Sequence, residues 1–147
     1  MANMTKLSIA VVLLLIGFAV GRMSAGSTTV LAAQPTSGHV YELRTYTAVE
    51  GKLANVNARF RDHTRRIFEK HDMKSVGYWT PVEGPTAGTT LVYLLEHPSR
   101  EAATKNWADF RADPEWQKVK AESEAAGPIV SKVESVFLTP TDYSPMK

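Results

Sequence analysis

Apolar and polar residues between positions 39 and 70 follow first the period of a strand and then that of a helix. Residues 39–47 are rich in β-branched and aromatic side chains and precede Gly51, which predicts a strand. From Lys52 the apolar positions recur at every third or fourth residue for about twenty residues, which predicts an amphipathic helix. These positions form a stripe along one side of the helix, namely Leu53, Val56, Phe60, Thr64, Ile67 and His71. Arg59 falls outside this stripe.

A hairpin and a second helical region follow. Residues 75–80 and 89–96 predict two strands, and the segment 81–88 between them contains two Pro and two Gly, which interrupt both elements. The two strands are therefore expected to form an antiparallel hairpin. Ser99 is an expected N-cap of the next helix. That helix places Ala103, Trp107 and Phe110 on one face.

A short helix and a final strand complete the pattern. Asp113 followed by Pro114 predicts a capped helix that extends to about Ala125, because Pro is well tolerated at the first helical position. Residues 129–138 predict the last strand. Trp107 of the preceding helix and Trp116 of this one are interpreted as packing anchors, since aromatic side chains dominate protein cores.

The element order βαββαβ predicts an α+β domain with a ferredoxin-like, four-stranded antiparallel sheet. In residues 91–95, both the odd-numbered and the even-numbered positions are apolar, so apolar side chains point to both faces of the strand. Residues 136–138 and the Tyr78-Trp79 pair also place apolar or aromatic side chains on both faces. A sheet with one solvated face would alternate apolar and polar residues, so both faces are expected to be covered. Because two helices cover only one face, we expect a homodimer that packs sheet to sheet as a dimeric α+β barrel.

The N-terminal segment predicts export. Residues 1–6 carry one positive charge, and residues 7–20 form a 14-residue uncharged apolar run, which is typical of a signal peptide and shorter than the roughly 20 residues of a spanning helix. Residues 1–33 are interpreted as a signal peptide cleaved near Ala33 or as an uncleaved membrane anchor. Both alternatives place the domain outside the cytoplasm, in the periplasm or secreted. After this segment we expect a linker at 34–38, the folded domain at 39–138 and a polar tail at 139–147.

Charge and composition exclude several functions. The chain of 147 residues has 17 Lys and Arg against 15 Asp and Glu, and Lys6 and Arg22 of the leader account for the difference. The neutral domain lacks the basic patch that nucleic-acid binding requires. The chain contains no Cys, so it has no thiolate nucleophile or Cys-ligated metal. No local metal motif or phosphate-binding loop occurs, and we expect no cofactor.

Arg44 is the first candidate functional residue, because a charge inside a predicted strand is unusual unless it is paired or faces a cavity. One interpretation is an ion pair with Glu42, which lies two residues earlier on the same face of the strand. The other is an anion clamp for a carboxylate or enolate, with Tyr46 as a second donor.

The remaining candidates are His63, Tyr78 and Trp79. His63 lies at the border of the helical stripe, where it is either a structural imidazole or a catalytic base. Tyr78 and Trp79 are candidate pocket-lining rings for a flat ligand. The catalytic candidates are therefore Arg44, Tyr46 and His63. The ligand-binding candidates are Glu42, Arg44, Tyr46, His63, Tyr78 and Trp79.

Several motifs resemble the NIPSNAP family. They cover about residues 39–138, and the most specific is the segment that runs from Trp107 to Trp116. The resemblance implies a ferredoxin-like dimeric α+β barrel and little about activity. The motifs are YELRTY at 41–46, Gly51-Lys52, Phe60 with His63, Gly77-Tyr78-Trp79, and the W-x-x-F-x-x-D-P-E-W segment at 107–116.

Two functional hypotheses follow. The first is an exported dimeric module that binds a small molecule or serves as a scaffold, without turnover. The second is a cofactor-independent monooxygenase-like or isomerase-like enzyme that acts on an aromatic or enolisable metabolite, by analogy with enzymes of the wider barrel superfamily. A cavity of about 300 Å³ or more, with the polar candidates converging on it, would favour a ligand site.

Overall fold

The computed structural model describes residues 38–146. The expected leader at 1–33 and most of the linker at 34–38 lie outside the described residues. Within residues 38–146, no helix is both long enough and apolar enough to cross a membrane. The elements in chain order are β1 (Val40–Ala48), α1 (Leu53–Arg59), a π-helical segment (Phe60–Thr64), α2 (Arg65–Lys70), β2 (Lys74–Trp79), β3 (Thr90–His97), α3 (Arg100–Ala112), α4 (Pro114–Ser123) and β4 (Val130–Leu138).

The four strands form one antiparallel sheet in the order β2-β3-β1-β4. This is the ferredoxin-like order, in which each helical region connects two strands that are not neighbours in the sheet. The predicted α+β fold class and the hairpin of β2 and β3 are confirmed. Each predicted strand begins and ends within one residue of the observed one.

The two faces of the sheet differ in their cover. On one face, Leu91, Tyr93 and Leu95 of β3 are buried beneath the helices. On the other face, which we call the open face, Leu94 lies opposite Leu43, and Leu43 lies opposite Val136. These three residues form an apolar row, and Val136 is 55% exposed. The centre of the open face is therefore apolar, as the sequence pattern predicts, while charged residues such as Lys132 and Glu134 lie toward its edge.

The C-terminal tail covers one end of the open face. Pro140 and Met146 of the tail and Leu138 of β4 line a cavity of about 300 Å³ together with Tyr41 and Leu94. Tyr41 is buried, although it belongs to the open face by strand alternation. The segment at 139–147 is polar in composition, but its Pro140 and Met146 line this cavity together with residues of the sheet.

The first helical region contains a π-helical segment at Phe60–Thr64. In a π-turn the backbone hydrogen bonds run from residue i to i+5, and the backbone N–H of Arg65 donates to the carbonyl oxygen of Phe60, five residues earlier. The wider turn advances each residue by a smaller angle. His63 is consequently exposed, and the prediction that it lies at the border of core and solvent was wrong.

Arg59 also departs from the sequence pattern, because it is buried. Its guanidinium lies over the ring of Trp116, 5.3 Å from the centroid, and pairs with Glu124 at 2.8 Å. Trp116 belongs to α4 and Glu124 follows it directly, so these contacts form only when α4 packs on α1. The burial of Arg59 therefore could not be predicted from the helical period of its own segment.

Asp113 joins three helices. Its side chain accepts a hydrogen bond from the backbone N–H of Glu115 at 2.8 Å, which confirms the predicted cap of α4. The same carboxylate lies 2.7 Å from both Lys70 Nζ and His71 Nε2 at the end of α2. The hydrogen bonds to Lys70 and His71 hold the pKa of Asp113 well below its usual value. A local cap is thus also a long-range contact.

Asp113 variants should separate these two roles. Asp113→Asn retains an oxygen that can cap α4 but loses the charge, and we expect it to lower the free energy of unfolding by about 1 kcal/mol. Asp113→Ala loses the cap as well, and we expect a loss of about 2 to 3 kcal/mol. Urea denaturation of both variants checks this. Equal effects of Asn and Ala would contradict a capping contribution.

Candidate functional site

Glu42 lies at the centre of a buried hydrogen-bond network between the sheet and α3. It is only 1% exposed, and four donors from different elements reach its carboxylate. Arg44 Nη1 and Ser135 Oγ donate to Oε1 at 2.7 and 2.6 Å. His97 Nε2 and Trp107 Nε1 donate to Oε2 at 3.0 and 2.6 Å. Each carboxylate oxygen therefore has two donors, which is the condition under which a charge can be buried.

The network keeps Glu42 ionised. Burial alone would raise the pKa of its carboxyl group, but the hydrogen bonds from His97, Ser135, Trp107 and Arg44 lower the pKa to about 2. A carboxylate with so low a pKa has little affinity for a proton near neutrality. Glu42 is therefore suited to holding cations and N–H donors in place and poorly suited to general-base catalysis.

Arg44 is held by Glu42 on one side and by aromatic rings on the other. Its guanidinium carbon lies 4.2 Å from the ring centroid of Trp107 and 5.7 Å from that of Tyr46, as in cation–π contacts. Burial alone would lower its pKa, but neighbouring Tyr93, Tyr46 and Glu42 raise the pKa above the usual value. The ion pair with Glu42, one of the two interpretations of Arg44 in the sequence, is present. One guanidinium atom, Nε, is buried and has no hydrogen-bond partner among the described residues.

Arg44 opens onto a pocket between the sheet, α3 and α4. The cavity has a volume of about 350 Å³, within the range of roughly 300 to 1,000 Å³ that is usual for small-molecule sites. We call it the helix–sheet pocket. Its lining residues are Arg44, Tyr46, Arg59, Trp107, Phe110, Arg111, Trp116, Lys120, Glu124, Pro128, Val130 and Val133.

On both α3 and α4, a Trp and a cation that line the pocket are separated by four residues. On α3, Arg111 follows Trp107 by four residues, and on α4, Lys120 follows Trp116 by four residues. Side chains at i and i+4 of a helix lie on the same face. Each helix therefore presents a Trp ring and one cation to the pocket, and α3 adds the ring of Phe110. This W-x-x-x-R and W-x-x-x-K spacing was available in the sequence, but interpreting both Trp residues as packing anchors concealed it.

The structure brings together three of the six predicted ligand-binding residues, namely Glu42, Arg44 and Tyr46. Trp107, which was expected to serve in packing, joins them. It packs against Phe68 and Phe110 with ring centroids 5.4 and 5.6 Å apart, and its indole N–H also binds Glu42. One side chain thus serves both the core and the candidate site.

The other three predicted residues lie elsewhere. His63 lines a separate cavity between the π-helical segment and α4. Tyr78 stacks on Tyr93, with centroids 5.6 Å apart, and exchanges a hydrogen bond of 2.7 Å with Ser75. Trp79 lies on the open face, 54% exposed. Because side chains alternate along a strand, adjacent Tyr78 and Trp79 point to opposite sides of the sheet and cannot line one pocket.

Within residues 38–146, no group of three or more His, Asp or Glu side chains is arranged to hold a metal ion. The pocket is instead characterised by cations and aromatic rings. These groups suit a planar, negatively charged organic molecule, since rings stack on its faces and cations pair with its charge.

Comparison with known proteins identifies the family. A family model described as NIPSNAP matches residues 41–145. The chain belongs to the NIPSNAP family. This match includes all of the helices, the sheet except Val40, and most of the C-terminal tail. Among curated proteins, none matches the chain.

Solved structures show the same fold. A NIPSNAP family protein of unknown function from Agrobacterium tumefaciens is 22% identical with a TM-score of 0.66, and the alignment covers 76% of this chain and 96% of that one. An uncharacterised NIPSNAP-like domain protein from Burkholderia xenovorans is 21% identical with a TM-score of 0.65, covering 74% and 90%. SnoaB, a cofactor-independent oxygenase from Streptomyces nogalater, is more distant, at 16% identity and a TM-score of 0.49, covering 74% and 98%.

The network around Glu42 predicts a specific acid sensitivity. The pKa of Glu42 lies near 2 in the folded protein against an ordinary value of 4.5, so its contribution to stability is complete above about pH 4.5 and is lost as the pH falls toward 2. We expect the wild type to lose on the order of 3 kcal/mol more unfolding free energy than Glu42→Gln over this interval. Urea denaturation at stepped pH measures the difference.

Glu122→Gln is the matched control, because this carboxylate is exposed and lies outside the network. It should retain the pH dependence of the wild type. An acid dependence in Glu42→Gln as steep as that of the wild type would contradict the assignment.

Proposed function

We propose that this NIPSNAP protein is an exported homodimer that binds a small planar anion in the helix–sheet pocket. The observation that carries the proposal is the position of Arg44, which is held between Glu42 and two aromatic rings and lines a cavity of about 350 Å³. An anionic ligand oxygen in this cavity would pair with the part of the Arg44 side chain that remains exposed. Export is proposed from the signal-peptide-like sequence at residues 1–33.

The charges of the pocket support an anionic ligand. Arg44, Arg59, Arg111 and Lys120 line it together with one carboxylate, Glu124, which is already paired with Arg59. The aromatic walls favour a flat apolar body for the rest of the molecule. An aromatic carboxylate or an enolate combines these properties.

Binding without turnover has more support than catalysis. The alternative, a monooxygenase-like or isomerase-like enzyme, depended on a base near Arg44 and Tyr46. His63 lines a different cavity, and Glu42 has a pKa of about 2, which makes it a weak base near neutrality. The pocket therefore holds groups that bind an anion and lacks, among its described lining residues, a histidine to accept a proton.

Binding of 2-naphthoate tests the proposal. This probe has two fused aromatic rings and one carboxylate, and isothermal titration calorimetry of the purified protein measures its affinity. We expect Arg44→Met to weaken binding by about tenfold or more, which corresponds to the loss of one charge-assisted hydrogen bond. Glu42 retains three other donors in this variant but loses its cation, so we expect a less stable protein, and circular dichroism verifies that the variant is folded before titration.

Arg65→Met is the matched control. Arg65 also lies over an aromatic ring, that of Tyr78 at 5.8 Å, but it does not line the helix–sheet pocket. The control should bind 2-naphthoate as the wild type does. Equal affinity of the wild type and Arg44→Met would overturn the proposed site.

The homodimer is proposed from the open face of the sheet. Trp79 and Val136 are 54% and 55% exposed there, and an apolar face of this kind is a common interaction surface in soluble proteins. A second copy that presents the same face would cover both patches at once, which is the geometry of a two-fold symmetric dimer.

A charge in the apolar row should prevent this dimer. Val136→Lys would place an ammonium group in the interface, where its desolvation is unfavourable, and we expect a monomer by size-exclusion chromatography with light scattering. Val82→Lys is the control, since Val82 is 95% exposed in the turn between β2 and β3. An unchanged dimer in Val136→Lys would exclude this interface.

A further inference from the structure

We infer that the ligand of the helix–sheet pocket is a planar aromatic dianion, with one anionic group at Arg44 and a second between Arg111 and Lys120. This inference rests on the proposed function and specifies its ligand class. The pocket has two ends. We call the end at Arg44 the floor and the end at Arg111 and Lys120 the rim.

The floor is formed by Arg44 and Trp107. The side chain of Arg44 is 15% exposed, and Trp107 is 9% exposed. One arm of the guanidinium, Nη1, binds Glu42, which holds the group in place. The floor thus offers a fixed cation and a ring surface for one end of a flat molecule.

The rim is formed by Arg111 and Lys120, which are both exposed. Arg111 follows Trp107 by four residues, or about 6 Å along α3, whereas Trp107 itself contacts Glu42. Within residues 38–146, no carboxylate lies within 4.0 Å of the Arg111 guanidinium or the Lys120 ammonium group. Two cations therefore line one opening without an internal counter-charge.

A charge count identifies the lining cations that have no counter-charge. Four cations line the pocket, and two of them are balanced internally, Arg44 by Glu42 and Arg59 by Glu124. Four minus two leaves a surplus of two positive charges, those of Arg111 and Lys120. A dianion whose second group lies between Arg111 and Lys120 offsets part of this surplus, whereas a monoanion bound at Arg44 leaves both rim cations unpaired.

The rings fix the shape of the ligand between its two charges. Trp107 and Trp116 each precede a rim cation by four residues, and Phe110 contacts Trp116 with ring centroids 4.5 Å apart. The stretch between floor and rim is therefore lined by aromatic rings. A rigid aromatic body with an acidic group at each end meets the floor, the rings and the rim together.

The test compares naphthalene-2,6-dicarboxylate with 2-naphthoate at constant ionic strength, because exposed charges are screened by salt. The two probes share one ring system and differ by one carboxylate. We expect the purified wild-type protein to bind the dicarboxylate about two- to fivefold more tightly, the range for contacts to exposed cations. Calorimetric titration gives both dissociation constants.

The double variant Arg111→Gln/Lys120→Gln should remove this preference. We expect it to bind both probes with equal affinity and to weaken 2-naphthoate by less than the dicarboxylate. The matched control, Arg65→Gln/Lys118→Gln, removes two exposed cations that do not line the pocket and should keep the preference. Circular dichroism verifies that each variant is folded.

The outcomes separate this inference from the proposed function. If the wild type binds 2-naphthoate through Arg44 but binds the dicarboxylate no more tightly, the dianion is excluded and the anion site stands. If the rim variant weakens both probes equally, the second contact is likewise excluded. If neither probe binds the wild type, the proposed function and this inference fail together.

Discussion

A buried carboxylate sets the main constraint on this molecule, because Glu42 remains charged beneath the helices through the four donors that reach it. Those donors come from β1, β3, β4 and α3, so one side chain couples the register of three strands to the position of a helix. Leaving such a charge partly unsatisfied is strongly unfavourable. The same carboxylate orients Arg44, and through Arg44 it determines where the floor of the pocket lies. Stability and the candidate site therefore depend on one group.

The sheet divides the molecule into two functional surfaces. Its helix-covered face carries the Glu42 network and the helix–sheet pocket, whereas its open face carries the apolar row and the contacts of the C-terminal tail. Alternation along β1 and β3 places these two sets of residues on opposite sides. A ligand in the pocket and a partner on the open face can thus bind without competing for the same side chains.

The sequence predicted those features that depend on neighbouring residues. The strands, the hairpin and the caps at Ser99 and Asp113 follow from local patterns, and the structure confirms them. The features it did not predict are contacts between distant segments. Arg59 is buried because α4 packs against α1, and Trp107 binds Glu42 across 65 residues of chain. His63, Tyr78 and Trp79 were grouped with Arg44 by residue type, but a π-turn and strand alternation separate them from it.

The π-helical segment at Phe60–Thr64 has a consequence for length variation in related chains. A π-turn holds one residue more than an α-turn, so it acts as an insertion that the helix absorbs without lengthening the connection between β1 and β2. On α1, before this segment, Arg59 is buried and faces α4. On α2, after this segment, Ile67 and Phe68 are buried in the core. A homologue that lacked one residue here could keep only one of these two orientations. Deletions in this segment should therefore be accompanied by replacement of Arg59 and its partner Glu124, even though the sheet and its hydrophobic core remain the same.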